Sequence, residues 1–208
     1  MIETRSAVSV AAQAAWQRQY ERNAELMAGY PVHSCSVPGN AMAEQFSEWL
    51  KPQLSGDILD VGCGPQPIPL YLVDSPLSRV SGVDPIDAFH PFTFRQALAE
   101  ELPFDRASFD CVIAATTLDH VLDPYQALAE ARRVLRLGGQ LFVWATYWPG
   151  AVRYDPNAET VALLDDYHVY HLDRPWFEAA VEDAGFRRLS SAMRLTPYSS
   201  TFTAWEAL

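Results

Sequence analysis

Cysteine is scarce and poorly placed for cross-linking: the 208 residues hold three, Cys35, Cys63 and Cys111, with no Cys-x-x-Cys pair. That pattern excludes a disulfide framework and a zinc knuckle, and it fits a reducing compartment. Long apolar runs are missing too, since no stretch reaches the ~18 consecutive apolar residues that a membrane-spanning helix needs. The opening Met1-Ile2-Glu3-Thr4-Arg5 carries an acid and leads into Ala/Gln/Arg sequence without the apolar core of a signal peptide. The expectation is a soluble, unexported, cytoplasmic chain. Positive charge is also in deficit, with 15 Lys and Arg against 26 Asp and Glu, a formal net charge of −11. Such a surface repels polyphosphate and anionic bilayers. The pairs Arg132-Arg133 and Arg187-Arg188 are short, lie among apolar residues and make no basic patch. Nucleic acid and membrane are therefore set aside as partners in favour of a small molecule, and a homodimer stays open.

What is present is ordinary globular composition, 49% hydrophobic and 20% charged, enough to bury a core in one domain without cross-links. From about Val8 to Ala28, Ala11, Ala12, Ala15, Trp16, Gln19 and Tyr20 recur at helical spacing until Gly29-Tyr30-Pro31 stops them. A second helix follows Pro38-Gly39-Asn40, with Asn40 as N-cap and Met42, Phe46, Trp49 and Leu50 on one face. From Asp57 short apolar runs closed by glycine or acid take over: Ile58 to Gly62, Val80 to Asp84, Phe109 to Ala114 and Leu141 to Ala145. These read as buried strands, separated by stretches long enough for crossover helices. The clearest such helix runs from Pro124 to Leu137 and is stopped by Gly138-Gly139. Alternating strand and helix imply a parallel sheet covered on both faces, a doubly wound α/β domain. After Thr146 an aromatic, acidic connection suggests a lid or pocket wall, with Trp144, Tyr147, Trp148, Tyr154, Tyr167 and Tyr170 as an aromatic set for a pocket or for plain core. A helix near Pro175 to Ala184 and two strands, Phe186–Leu195 and Ser200–Trp205, joined through Pro197-Tyr198, complete the chain as an antiparallel hairpin.

The chemistry gathers where the first strand ends, at Asp60-Val61-Gly62-Cys63-Gly64-Pro65. A buried strand closing in glycines just before a helix lets the backbone approach a nucleotide-like ligand. Asp84, at the end of the second strand, is placed to accept both hydroxyls of a ribose. The third glycine of a dinucleotide fingerprint is replaced by Pro67, and the Gly-Lys-Ser/Thr of a phosphate loop is absent. An adenosine ligand without a pyrophosphate is what remains. Asp60 is either a ligand or a strand-end carboxylate that satisfies the loop backbone. Cys63 reads as a small packing residue and Cys111 as core. His168-Val169-Tyr170-His171 with Asp165, Asp166 and Asp173 has the composition of a metal site but no tight ligand spacing, so no metal is expected and a pocket-lining role is preferred. Histidine is the usual proton acceptor near neutral pH; His120 and His168 are the candidates for a general base, with His33 a lid or exposed residue.

Four strings in order carry a resemblance: Asp60 to Pro65; Gly82-Val83-Asp84; Glu100-Glu101-Leu102-Pro103-Phe104 with Ser108-Phe109-Asp110; and Leu118-Asp119-His120-Val121-Leu122-Asp123-Pro124 running on through Arg133 to Leu141. Together they resemble the class I S-adenosylmethionine-dependent methyltransferases, in the small-molecule branch similar to the quinone-biosynthesis enzymes. The resemblance implies a Rossmann-like seven-stranded sheet with a reversed terminal hairpin and an N-terminal helical lid. It divides one domain, 1–208, into a helical cap (1–55), a cofactor-binding half (56–145) and a lid segment with last helix and hairpin (146–208). It implies S-adenosyl-L-methionine as cofactor and a small organic acceptor. Gly62 and Gly64 would pass under the methionine part, with Asp60 counted among the cofactor-binding residues; Asp84 would hold the ribose, Ala99 and Glu100 would edge the adenine, Thr116 or Thr117 would lie beside the sulfonium, and Tyr20 would close over the methyl group. The chain departs from the family pattern at Gln66, where a glycine is common, and at Leu98, where an aspartate often meets the adenine. Two other readings stay open: a cofactor-binding protein of the same fold without transfer, and a nicotinamide-dependent oxidoreductase, against which Pro67 stands.

Overall fold

The computed structural model describes residues 8–29, 37–195 and 199–208. Cys35, His33, the Tyr30-Pro31 stop and the Pro197-Tyr198 link fall outside the described residues. Seven strands form one sheet: β1 (Ile58–Val61), β2 (Val80–Asp84), β3 (Thr93–Gln96), β4 (Phe109–Ala115), β5 (Leu135–Tyr147), β6 (Phe186–Leu195) and β7 (Ser199–Ala207). Their order is β3-β2-β1-β4-β5-β7-β6, parallel through the first five, with β7 antiparallel to both β5 and β6. All four residues of β1 are buried, which is why it does not alternate between apolar and polar residues; only Asp60 interrupts its apolar run.

Helices cover both faces. α1 (Val10–Gly29), α3 (Pro124–Val134) and α4 (Arg174–Asp183) lie on one side, where Ala15, Leu128, Phe177, Val181 and Trp205 share a core with Leu59, Val112 and Val143. On the other side α2 (Ala41–Leu50) sets Ala43, Phe46 and Leu50 against Tyr71, Phe142, Trp144 and Phe202. The Asn40 side chain accepts from the N–H groups of Met42 and Ala43 at 3.0 and 3.2 Å. Asp123 does the same for Tyr125 and Gln126, with Pro124 in the first turn where it lacks only an N–H that would go unbonded.

Three expectations need correcting. No α-helix follows the glycine turn: β1 and β2 are joined through short 3₁₀ turns at Leu70–Leu72 and Leu77–Arg79. Pro65, Pro67 and Pro69 occupy alternate positions there, and each removes a backbone donor and fixes φ, so α-helix cannot propagate. Nor does a helix join β2 to β3 or β3 to β4. The helix at Pro124 stops at Val134, not Leu137, because Leu135 already pairs with Phe109 as the first residue of β5. Gly138, at φ +75° with open space around it, turns within that strand instead of ending the helix. β3, finally, escapes a pattern search because it is a mostly exposed edge of polar residues, Thr93, Arg95 and Gln96 around Phe94.

Candidate active site

The carboxyl ends of β1, β2 and β4 open into a cavity of about 470 Å³, roofed by α1 and by the segment around Tyr167 and His168. This is the face where open parallel sheets place ligands. On leaving β1 the chain turns through Gly62 and Gly64, both at positive φ (+73° and +68°). The N–H groups of Gly62 and Cys63 donate to the Val83 carbonyl at 2.8 and 3.2 Å, tying the turn to β2. A Cβ at Gly62 would lie 2.4 Å from Thr117 Oγ1, so the position has neither the backbone conformation nor the space for a side chain. Thr117 Oγ1 itself donates to the Val61 carbonyl at 3.0 Å.

Asp84 is held on the cavity wall by two backbone donors, Gly64 N at 2.9 Å and Ile86 N at 2.8 Å, one to each oxygen. Each oxygen keeps a further lone pair for a ligand hydroxyl. Burial raises its pKa, against the opposing pull of those N–H groups. Asp60 is different. It is fully buried, does not line the cavity, and accepts from the Tyr71 hydroxyl at 3.1 and 2.9 Å. Burial pushes its pKa up to about 7, Tyr71 pulling the other way and Asp84 adding to the rise. The neighbouring Cys63 lines the cavity floor with Sγ 3.7 Å from His90 Nε2; burial and the two carboxylates push its thiol far up, which leaves it unreactive.

Along the next wall run Ala97, Leu98, Ala99 and Glu100. Glu100 turns one oxygen toward the start of α3, accepting from Asp123 N at 2.8 Å, and burial raises its pKa. The opposite end is formed by the turn after β4. Thr116 stands there at φ +53°, its N–H donating to the Trp144 carbonyl at 2.8 Å. His120 and His168 stack with ring centroids 4.6 Å apart. Burial holds His120 below its ordinary pKa, Asp119 opposing. His168 Nδ1 lies 2.9 and 3.0 Å from the Asp165 oxygens, and His171 Nε2 lies 3.3 Å from Asp165. Asp165 also accepts the N–H groups of Tyr167 and His168 at 2.8 Å; against its partial burial these donors hold its carboxyl below the usual range. Its lone pairs are thus already taken by nitrogen donors of the chain.

α1 closes this end. Trp16 Nε1 and Gln19 Nε2 both donate to the His120 carbonyl, at 2.9 and 2.7 Å, and Gln19 Oε1 accepts from Val169 N at 2.7 Å. Tyr20 stacks on Trp16 and reaches the Pro85 carbonyl at 3.4 Å.

The structure thus brings Gly62, Gly64, Asp84, Ala99, Glu100, Thr116, Tyr20, His120 and His168 to one cavity, and leaves Asp60 beneath it. Of the aromatic set, Trp148 and Tyr167 line the cavity; Trp144, Tyr147, Tyr154 and Tyr170 are buried in the core. Tyr154 and Tyr170 stack at 4.2 Å, their hydroxyls anchoring the turn after β4 by donating to Leu122 and Leu118 carbonyls. Sequence reasoning passed over Gln19, Asn23 and Asp119 as wall residues. A polar residue interrupting the apolar stripe of α1, and an acid beside His120, were the available signals.

Residues 59–143 match a family model described as a methyltransferase domain. Over 109 residues the chain is 38% identical to an uncharacterized methyltransferase of Mycobacterium tuberculosis, covering 48% of this chain and 44% of the relative. It is 37% identical over 108 residues to the ubiquinone/menaquinone biosynthesis C-methyltransferase of Hahella chejuensis, covering 52% and 41%. The chain spans less than half the length of these two curated relatives. Among solved structures, the 1,6-didemethyltoxoflavin-N1-methyltransferase of Burkholderia thailandensis, with S-adenosylhomocysteine bound, superposes at TM-score 0.72 and 16% identity over 98% of this chain and 93% of that one. The [4+2]-cyclase SpnF superposes at TM-score 0.64 and 16% identity over 97% of each. Residues 59–143 thus match a methyltransferase domain, and the fold is that of the solved methyltransferase on which the chain superposes. The residues present fit S-adenosylmethionine, the cofactor that the resemblance implies: a turn that only glycine can make and a wall carboxylate oriented by two N–H groups, on one cavity.

Proposed function

We propose that this chain transfers a methyl group from S-adenosylmethionine to a small organic acceptor. The observation that carries the proposal is one cavity with the Gly62–Gly64 turn and Asp84 at one end and a histidine pair under an aromatic roof at the other. In this reading Gly62 and Gly64 let the backbone pass beneath the methionine part, Asp84 accepts from the ribose hydroxyls, and Ala99 and Glu100 border the adenine. Thr116 stands at the reacting centre, and Tyr20 on α1 excludes water above it. Residues 1–55 act as the cap, 56–145 as the cofactor half and 146–208 as the acceptor-side wall of a single domain. When bound, the cofactor supplies an electrophilic methyl group on a sulfur that is already a good leaving group. The protein therefore has to position the acceptor and receive one proton. His168, its Nδ1 2.9 Å from Asp165 Oδ1, and His120, which burial holds below its ordinary pKa, are the two groups that take that proton.

A nicotinamide cofactor is disfavoured further by the missing helix after the glycine turn, since a pyrophosphate is normally held at that helix N-terminus. Binding without transfer is the second reading, favoured by Leu98 at the adenine edge and by a cyclase sharing the fold. Calorimetry with S-adenosylhomocysteine, followed by transfer of labelled methyl to a broad acceptor panel, separates the two. The expected result is binding together with labelled product, and a roughly 100-fold lower kcat for His168→Ala with unchanged S-adenosylhomocysteine affinity. Binding with no product from any acceptor would leave the second reading standing.

A further inference from the structure

Asp119 follows the turn after β4, and the chain provides for it in no other way. Its side chain is 11% exposed and lines the cavity at the histidine end. Among the described residues no N–H or O–H hydrogen-bonds to that carboxylate; the nearest basic nitrogen, His120 Nε2, stands 4.0 Å from Oδ1. A carboxylate that faces the cavity without a donor from the chain keeps its lone pairs for whatever occupies that cavity. Contrast Asp84, Glu100, Asp123 and Asp165, each of which accepts at least one backbone N–H.

The rest of the wall sharpens the point. Among the residues whose side chains the structure describes, which include every Lys and Arg except Arg5 and Arg194, no basic residue lines the cavity. The carboxylates Asp84, Glu100 and Asp119 do. An acceptor headed by a carboxylate or phosphate would meet Asp119 with no guanidinium or ammonium to balance it. A neutral hydroxyl could donate one hydrogen bond, without charge. A protonated amine brings several N–H donors and the opposite charge. The indoles of Trp16 and Trp148 and the ring of Tyr167, also on this wall, favour a cation over an anion.

We infer that the acceptor site takes a small organic amine with an apolar or aromatic body, its ammonium group held by Asp119. The inference rests on the methyl-transfer reading of the cavity and names the acceptor class for it. Asp119, His120 and His168 each offer a polar atom within 4.8 Å of the others, so an ammonium seated on Asp119 has an imidazole within reach. The ammonium gives one proton to that imidazole, which becomes imidazolium. The nitrogen is left neutral with the lone pair that methylation requires.

Three probes of matched shape test this on the full chain: 2-phenylethylamine, 2-phenylethanol and phenylacetate. Binding of each to the protein saturated with S-adenosylhomocysteine is measured by calorimetry, and methyl transfer to each is measured with labelled S-adenosylmethionine. The amine is expected to bind roughly 10- to 100-fold more tightly than either analogue, and Asp119→Asn to remove most of that preference. Affinity for S-adenosylhomocysteine reports that the variant is folded, and the ranking of probes on the unaltered chain needs no variant at all. Equal or tighter binding of the alcohol or of phenylacetate overturns the inference, as does an amine preference that Asp119→Asn leaves intact. Methyl transfer to the alcohol with no preference for the amine sinks the inference and leaves the transfer reading in place. Tight, Asp119-dependent amine binding without any product sustains the amine site and defeats the transfer reading.

Discussion

Asp60 and Asp84 stand at the carboxyl ends of neighbouring strands and look equivalent in the sequence, yet the structure gives them opposite roles. Asp84 faces the cavity with two N–H partners; Asp60 is sealed beneath it on a tyrosine hydroxyl. The consequence is a pH dependence of stability. Unfolded, the Asp60 carboxyl has its ordinary pKa of 3.8; folded, burial moves it to about 7. Between those values the folded chain holds a proton that the unfolded chain has released. The stability it contributes is therefore full below pH 4, falls as pH rises toward 7, and is absent above it. Asp60→Asn keeps an acceptor for Tyr71 and removes the ionisation. Urea unfolding at pH 5 and pH 8 is expected to show a loss for the native chain that exceeds the variant's by on the order of 2–4 kcal/mol. Equal losses would mean that the carboxylate is accommodated ionised. Gly62 and Asp84 were legible from sequence because a strand buried on both faces forces its polar chemistry to the strand end. Asp119 was not, because an acid in a turn is ordinarily solvated, and only the tertiary structure turns this one toward the cavity.

At the scale of elements, α1 shows how a lid is fastened. Its Gln19 is 1% exposed and bridges two segments far apart in sequence, donating to the His120 carbonyl and accepting from Val169 N. Gln19→Ala would strand the Val169 N–H in the interior. A loss of about 1–3 kcal/mol is expected, with faster hydrogen exchange at Val169 than at core amides of β1. A change of only a few tenths of a kcal/mol would show that water takes over both bonds. The same scale explains the misread elements. Apolar periodicity finds β1, β2, β4, α2 and α3 because each buries most of its own surface. It misses β3, whose strand character comes from pairing with β2 at the sheet edge rather than from its side chains. It overextends α3, because Leu135, Arg136 and Leu137 suit a helix locally and are claimed by β5 through pairing with β4.

For the whole molecule, the two cores lie on opposite faces of one continuous sheet and share its strands, so they should melt together. Phe46 beneath α2 and Phe177 on α4, both fully buried, probe one face each. Phe46→Ala and Phe177→Ala are each expected to cost about 3–5 kcal/mol and to shift one common transition, followed by far-UV and near-UV circular dichroism. Two separated transitions in either variant would show that the faces fold as independent units. The sequence by itself determined the α/β class, the glycine turn, the carboxylate at the end of β2 and the closing hairpin. These follow from local spacing, from which residues bury well, and from the connection lengths between them. Only the tertiary structure decided which carboxylates keep water, which aromatic residues line the cavity and which become core, and that no helix follows the glycine turn. Those outcomes depend on what packs over a residue from elsewhere in the chain, and burial by a distant segment leaves no mark on the local pattern.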